Sequence, residues 1–444
     1  MPALLFAILL ALHTSALYAQ TTPRTEPLHA ALEQQIAAGQ KRVVELRRIL
    51  HQHPELSNRE TQTAKLLAEQ LRQLGLEVKT GVAHTGVVAL LRGGKPGPVV
   101  ALRADMDGLP VTEGGNLPFK SNARAEHSGQ SVGVMHACGH DNHMAILLGV
   151  AQALTPLRAQ IAGTIKFIFQ PAEEGAPAGE EGGASLMIKQ GVLKDPAPAA
   201  IFGLHVWPLP VGTLAYRPGP TMASSDRLTL TVQGKQTHGA LPWDGVDPIV
   251  VSSQIVLGLQ TIVSRQTNIS RLPAVVTIGS IHGGTRGNII PDSVRLEGTM
   301  RTFDEVVRRD IQRRIRATAE SIAQSAGASA TVKIDDGNPV THNDPALTQQ
   351  MLPTLQRIAG AGNVQLAELS MPAEDFSHYQ KQIPGFFFFL GIVPRGVDAA
   401  TAPRNHSPEF FADESALPLG VRVLAGLALD WLAAHSGNDR VSKP

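Results

Sequence analysis

The stretch TIKFIFQPAEEG, residues 164–175, decides how the chain is read. A short β-rich run, TIKFIF, is followed at once by Gln170-Pro171 and then by two carboxylates, Glu173 and Glu174. Apolar runs of this length bounded by a turn signal are the pattern of a strand buried on both faces. The same arrangement recurs along the chain. Residues 99–102 run into Arg103-Ala104-Asp105-Met106-Asp107, AIFGL (200–204) delivers His205, and FFFFL (386–390) is followed by a loop carrying Asn405-His406. Helical stretches lie between them at 145–154 and 183–189, with a last one at 418–434. Buried strands alternating with helices predict an α/β fold, a mostly parallel sheet covered on both faces. Ligands of such sheets bind at the carboxyl ends of the strands. Asp105, Glu173, Glu174, His205 and His406 are therefore expected on one rim.

Beside them stands MHACGHDNH, residues 135–143, which contains the only cysteine of the chain. Cys138 and His140 are two apart, so an extended or turning segment points both the same way. A thiolate and a neutral imidazole aimed at one point are good ligands for a divalent transition metal. The paired carboxylates suggest a division of labour. Neighbouring side chains on extended chain diverge, so one of Glu173 and Glu174 can ligate while the other handles protons. Metal-assisted amide hydrolysis needs such a pair, because the metal acidifies water and polarises the carbonyl while a carboxylate moves the proton.

The middle of the chain has a different texture. RLTLTVQ (227–233) alternates as a half-buried antiparallel strand does. A helix over 247–265, strands over 274–281 and 293–301, an amphipathic helix over 303–324 and a strand over 330–334 complete a strand–helix–strand–strand–helix–strand unit. The expected domains are a first catalytic part over 20–221, an inserted α+β lid and dimerisation domain over 222–337, and a second catalytic part over 338–444.

Composition adds limits. The chain has 444 residues, 43% hydrophobic and 17% charged, an ordinary globular balance long enough for two cores. A net charge of +1 gives no reason to expect nucleic acid or an anionic membrane as partner. The apolar run ALLFAILLAL (3–12) reads as the core of a secretory signal over 1–19 with cleavage after Ala19, so an exported, periplasmic or secreted protein is expected. No later segment reads as long and apolar enough to span a membrane. The sequence Gly129-Gln130-Ser131-Val132-Gly133 matches the nucleophile elbow of serine hydrolases, but that motif works only between a strand and a helix. Here polar residues precede it, and Ser131 is read as a decoy.

Taken together, the segments HQHPELSNRE, ALRADMDGLP, MHACGHDNH, FQPAEEG, GLHVWP, THGALPWDGVDP, GGTRGNIIPD, AEDFSHY, PGFFFFLG and NHSPEFFADE resemble the aminoacylase and hippurate-hydrolase group of metal-dependent amidohydrolases. This group includes plant auxin-conjugate hydrolases. The resemblance implies two divalent ions, zinc or manganese with nickel and cobalt also suited, held by Cys138, His140, Glu174, His205 and His406. It implies Glu173 as general base and Asp105 as a residue that orients a ligand. It also implies that His238 and Asn288 reach the substrate, with the oxyanion contact supplied by the same chain or by His238 of the partner subunit of a homodimer. The expected reaction is hydrolysis of N-acyl amino acids to a carboxylic acid and a free amino acid. The alternatives are a dipeptidase or carboxypeptidase, an N-acetyl-diaminopimelate deacetylase, a serine hydrolase using Ser131, and a non-catalytic metal-dependent binding protein.

Overall fold

The computed structural model describes residues 26–436, so the signal sequence expected over 1–19 and its cleavage after Ala19 lie outside the described residues. An eight-stranded sheet runs, edge to edge, Glu77–Val82, Gly86–Arg92, Ala162–Gln170, Lys95–Asp105, Ala200–Pro210, Gly385–Val393, Leu214–Tyr216 and Val364–Leu366. The four central strands, Ala162–Gln170 to Gly385–Val393 in that order, are mutually parallel. They grow from the four apolar runs on which the sequence reading rests. Antiparallel pairing enters only towards the edges.

Alternation along the central strands covers both faces. Phe202, Phe386 and Phe388 pack with helices Glu26–Gln52, His140–Leu154 and Leu417–His435, whereas Ile201, Phe387 and Phe389 pack with Met187, Phe376 and Tyr379 on the other side. Lys166 is the exception within TIKFIF. Its buried ammonium donates to the carbonyl oxygens of Val192 and Lys194 at 2.9 and 2.6 Å, and burial lowers its pKa to about 8.

Helix Leu417–His435 corrects one expectation. Together with the turn from Glu414 it is long and apolar enough to cross a membrane. Most of it is instead buried against the sheet, which is why its apolar residues go all round it.

A second sheet, ordered Ala274–Gly283, Ser293–Thr302, Asp226–Gln233 and Ser329–Asp336, is antiparallel throughout and has its own core with helices Pro248–Thr261 and Glu305–Ser325. Both helices start on an aspartate whose carboxylate accepts backbone N–H bonds, Asp247 and Asp304. The chain enters and leaves this unit through strands Gly219–Met222 and Thr341–Asn343, which pair antiparallel with each other.

Replacing Phe388, fully buried at the centre of the sheet, with Ala should cost about 3–5 kcal/mol. Denaturant unfolding of the catalytic-sheet transition checks this, and an unchanged midpoint would contradict the packing described.

Candidate metal centre and proton-handling site

The register of the sheet builds the rim. Asp105 pairs with Gln170, and Arg103 pairs with Gly203, so Asp105 ends its strand level with His205. The strand bearing His205 does not stop there as expected. It continues to Pro210 because Gly385–Val393 keeps pairing with it beyond the end of Lys95–Asp105. His205 nevertheless lies at the rim, since its other neighbour has finished.

Cys138 and His140 are brought in by a sharp turn at Gly139, in the left-handed region at φ 90°. Helix His140–Leu154 starts directly after it, five residues earlier than the apolar pattern indicates. Buried His140 and His143 thus belong to the first helical turn. Loop 171–175 makes a comparable bend at Ala172, φ 54°, whose N–H donates to Glu60 at 2.9 Å. His406 also has positive φ, 72°, and its N–H is tied to the Ala137 carbonyl oxygen at 2.8 Å. Non-glycine residues held in this region cost on the order of 1–3 kcal/mol and cluster at functional sites.

The five residues expected as ligands come together. The donor atoms of Cys138, His140 and His205 lie within 4.8 Å of one another, as do those of Cys138, Glu174 and His406. Cys138 belongs to both groups. His205 Nδ1 donates to the Val206 carbonyl oxygen at 2.7 Å, leaving Nε2 free to ligate, 3.4 Å from Cys138 Sγ. His140 Nε2 is buried with no hydrogen-bond partner, which is costly for a polar atom. A cation between these groups would satisfy it, and a set of sulfur, imidazole and carboxylate donors suits divalent transition ions. The residues therefore fit a pair of divalent ions.

Glu173 and Glu174 do not simply diverge. The bend at Ala172 replaces extended chain, so each has an oxygen 4.0 Å from His140 Nε2. Their other contacts then separate them. Glu174 Oε1 lies 3.0 Å from His406 Nε2, while Glu173 Oε1 accepts the Asp375 N–H at 3.3 Å. Burial, then the charges of Glu374, Glu174 and Asp375, push the Glu173 carboxyl well above the usual range, against the pull of Arg103.

Several residues with clear places in the site, Asp107, Arg103 and His143 among them, were given no role by the sequence reading. Asp107 Oδ1 is 3.3 Å from His140 Nδ1, and its carboxylate also receives the N–H groups of Glu173 and Glu174 and the Ser57 hydroxyl. Burial raises Asp107, but His140 and the bound N–H and O–H groups outweigh it and hold it below the carboxylate range. Asp105, expected to orient a ligand, stands 3.8 Å from His140 Nε2 and hydrogen-bonds His143 Nδ1 at 2.6 Å and Arg103 at 2.7 Å. His143 in turn accepts the Val206 N–H at 2.9 Å. Arg103 is fully buried among Asp105, Glu374 and Asp375. One signal was available: Arg103, Asp105 and Asp107 alternate in a strand ending, so all three face one side.

His238 and Asn288 are brought to each other but not to the cluster. They are exposed and adjacent across the short ribbon Thr237–His238 with Ile289–Ile290, where Gly239 N–H donates to the Asn288 carbonyl oxygen at 2.8 Å. Among the described residues, no hydrogen bond or ion pair joins either to the rim. Ser131 lies on an exposed hairpin, accepting from Arg124 Nε at 3.2 Å, with no strand–turn–helix around it.

Comparison with known proteins agrees with this geometry. The model of peptidase family M20/M25/M40 matches residues 101–430. Thermostable carboxypeptidase 2 of Saccharolobus solfataricus is 42% identical, over 88% of this chain and 95% of its own. N-acetylcysteine deacetylase of Bacillus subtilis is 41% identical, over 87% of this chain and 96% of its own. The crystal structure of a dinuclear metal-binding peptidase of the M20 family, also from B. subtilis, superposes with a TM-score of 0.74 at 39% identity, covering 89% of this chain and 99% of that one.

Two outcomes are expected of the site. A Cβ at Gly139 would lie 2.3 Å from Val206 Cγ2 in a backbone conformation that L-residues avoid, so Gly139→Ala should weaken metal affinity about tenfold or more. A metal titration giving the wild-type dissociation constant would contradict this. Behind the site, burial depresses His51, but Asp141 at 2.8 Å and Glu113 at 3.1 Å outweigh it and raise its pKa to about 9. The raised value means that the stabilisation is fully present below the unfolded pKa, about 6.5, and is lost as pH climbs through about 9. Melting temperatures of wild type and His51→Gln should therefore converge between pH 7 and pH 10; a constant gap would oppose the assignment.

Proposed function

We propose, on the premise that the chain belongs to peptidase family M20/M25/M40, that this metal-dependent amidohydrolase cleaves N-acyl amino acids to a carboxylic acid and a free amino acid. The observation that carries the reading is the position of Glu173. It borders both donor groups, with one oxygen 4.0 Å from His140 Nε2, yet its other oxygen is fixed by the Asp375 N–H. A carboxyl placed beside a metal pair, with its pKa raised, is suited to taking a proton from water and returning it to the leaving nitrogen.

Cys138, His140, Glu174, His205 and His406 would hold two ions. When bound, the ions supply Lewis acidity, acidifying water and polarising the acyl carbonyl. Zinc and manganese are the metals we favour, with nickel and cobalt compatible with the same donors. Asp107 orients His140 through Nδ1, and Asp105 orients His143 and, through it, the Val206 backbone beside His205.

Residues 222–337 would act as lid and dimerisation unit. Closure would carry exposed His238 and Asn288 to the rim, from the same chain or as His238 of the partner subunit. There the imidazole would donate to the developing oxyanion and the closed site would exclude water. His238 Nδ1 accepts the Ala240 N–H at 3.0 Å, which leaves the proton of a neutral ring on Nε2, available for that donation. Residues 1–19 would direct export, giving a periplasmic or secreted enzyme, and the substrate would be a small molecule rather than nucleic acid or membrane.

The named activities of the relatives set the panel. Acetyl and aromatic-acyl amino acids should be tested beside N-blocked peptides, which a carboxypeptidase would cut. We expect metal-dependent release of amino acid from the simple acyl substrates, abolished by chelation. The Glu173→Gln variant should retain its metal and lose at least about a thousandfold in kcat. Turnover surviving both chelation and this substitution would refute the mechanism.

A further inference from the structure

One turn of chain, residues 374–378, touches both the proton-handling carboxyl and the connection to the four-stranded unit. At one end the Asp375 N–H donates to Glu173 Oε1 at 3.3 Å. The Asp375 carboxylate that fixes this N–H accepts from Arg103 and Gln170 at 2.8 Å and from the Ala184 N–H at 2.7 Å. Within the turn, the His378 N–H donates to the Asp375 carbonyl oxygen at 2.9 Å. At the other end His378 Nε2 lies 3.3 Å from Asn338 Oδ1.

Asn338 sits where the chain returns from the second sheet, two residues beyond strand Ser329–Asp336. Its backbone is clasped by Ser225: the Ser225 N–H donates to the Asn338 carbonyl oxygen at 2.9 Å, and the Asn338 N–H donates to Ser225 Oγ at 3.1 Å. Next to it the Ser224 N–H donates to the carbonyl oxygen of Thr302, the last residue of strand Ser293–Thr302, at 2.8 Å. Hydrogen bonds thus run without a break from the sheet of the inserted unit, through both of its connections, to the oxygen of Glu173. His378 carries this route from the connection to the turn, beside a longer bond from the Thr341 hydroxyl to the Glu374 carbonyl oxygen at 3.4 Å.

We propose that His378 is a positioning residue for Glu173, holding the Asp375 N–H where the carboxylate needs it and tying that placement to the orientation of the four-stranded unit. The inference rests on Glu173 as the base. A group that places a base acts on the chemical step more than on substrate affinity, because misplacement by a fraction of an ångström is felt mainly in the transition state. His378 is partly accessible and touches none of the metal-ligand groups described, so its removal leaves the centre intact.

The experiment is steady-state kinetics of the metal-loaded full chain, on the best acyl substrate, for His378→Ala, His378→Gln, Asn338→Ala and the His378→Ala/Asn338→Ala pair, with Glu173→Gln in parallel. The expected result is a kcat about tenfold lower for His378→Ala with KM within about twofold, at unchanged metal content and melting temperature. Gln, which can place an amide N–H near the position of Nε2, should restore most of the loss. Asn338→Ala should resemble His378→Ala, and the pair should be no worse than either alone, the non-additivity expected of one shared contact. Wild-type kcat in His378→Ala, a loss confined to KM, a loss explained by missing metal or a lowered melting temperature, failure of Gln to rescue, or additivity in the pair would each overturn the proposal. Wild-type turnover in Glu173→Gln would instead overturn the reading of the base on which the proposal stands.

Discussion

The structure depends on one buried cation. Arg103 has no exposed surface and sits where the ends of strands Lys95–Asp105 and Ala162–Gln170 meet the loop at 374–375, bonded to Asp105, Gln170, Glu374 and Asp375. Without it, Asp105, Glu173, Glu374 and Asp375 would be a cluster of buried like charges, which either repel or neutralise by taking up protons. Burial opposes ionisation of Asp105, but His140, His143 and then the fixed guanidinium outweigh it and hold its pKa well below the usual range, while Glu173, nearer the other acids, is pushed the opposite way by burial and by Glu374, Glu174 and Asp375. Two carboxyls in one pocket acquire different protonation behaviour from their surroundings alone. Removing a single partner of such a network is expected to cost about 3–5 kcal/mol, because an uncompensated charge remains buried.

What the sequence made legible was the part governed by burial. The four central strands read as apolar runs because both of their faces are covered, and their order of appearance placed the acidic and imidazole groups at one rim. The outer strands escaped notice for the converse reason: Glu77–Val82 is mostly exposed, and Leu214–Tyr216 and Val364–Leu366 are three residues each. Helix Pro345–Ala359 carries Pro353 inside it, a residue that argues against a helix on local grounds and is tolerated here by packing.

Two of the candidate ligands, Cys138 and His140, stood out as a crowded motif and the others as groups at strand ends, but the residues that support them did not stand out. Periodicity says where a strand ends; it does not say that Asp107 faces His140 while Asp105 faces His143. That distinction depends on the helix starting directly after Gly139, at a turn where Val206 and Phe410 leave no room for a Cβ. The acidic pair at 374–375 gave no signal as a support of Glu173, since the two segments are about two hundred residues apart in sequence and meet only through the sheet.

The central claim is that the donor groups gathered on this rim would hold two ions, with Glu173 beside them. Anomalous X-ray diffraction from crystals of the metal-loaded chain, collected at the absorption edge of the added ion, tests it most directly. The account predicts two peaks, one among Cys138, His140 and His205 and the other among Cys138, Glu174 and His406, with Glu173 adjacent. A single peak, or peaks outside these residues, would contradict it.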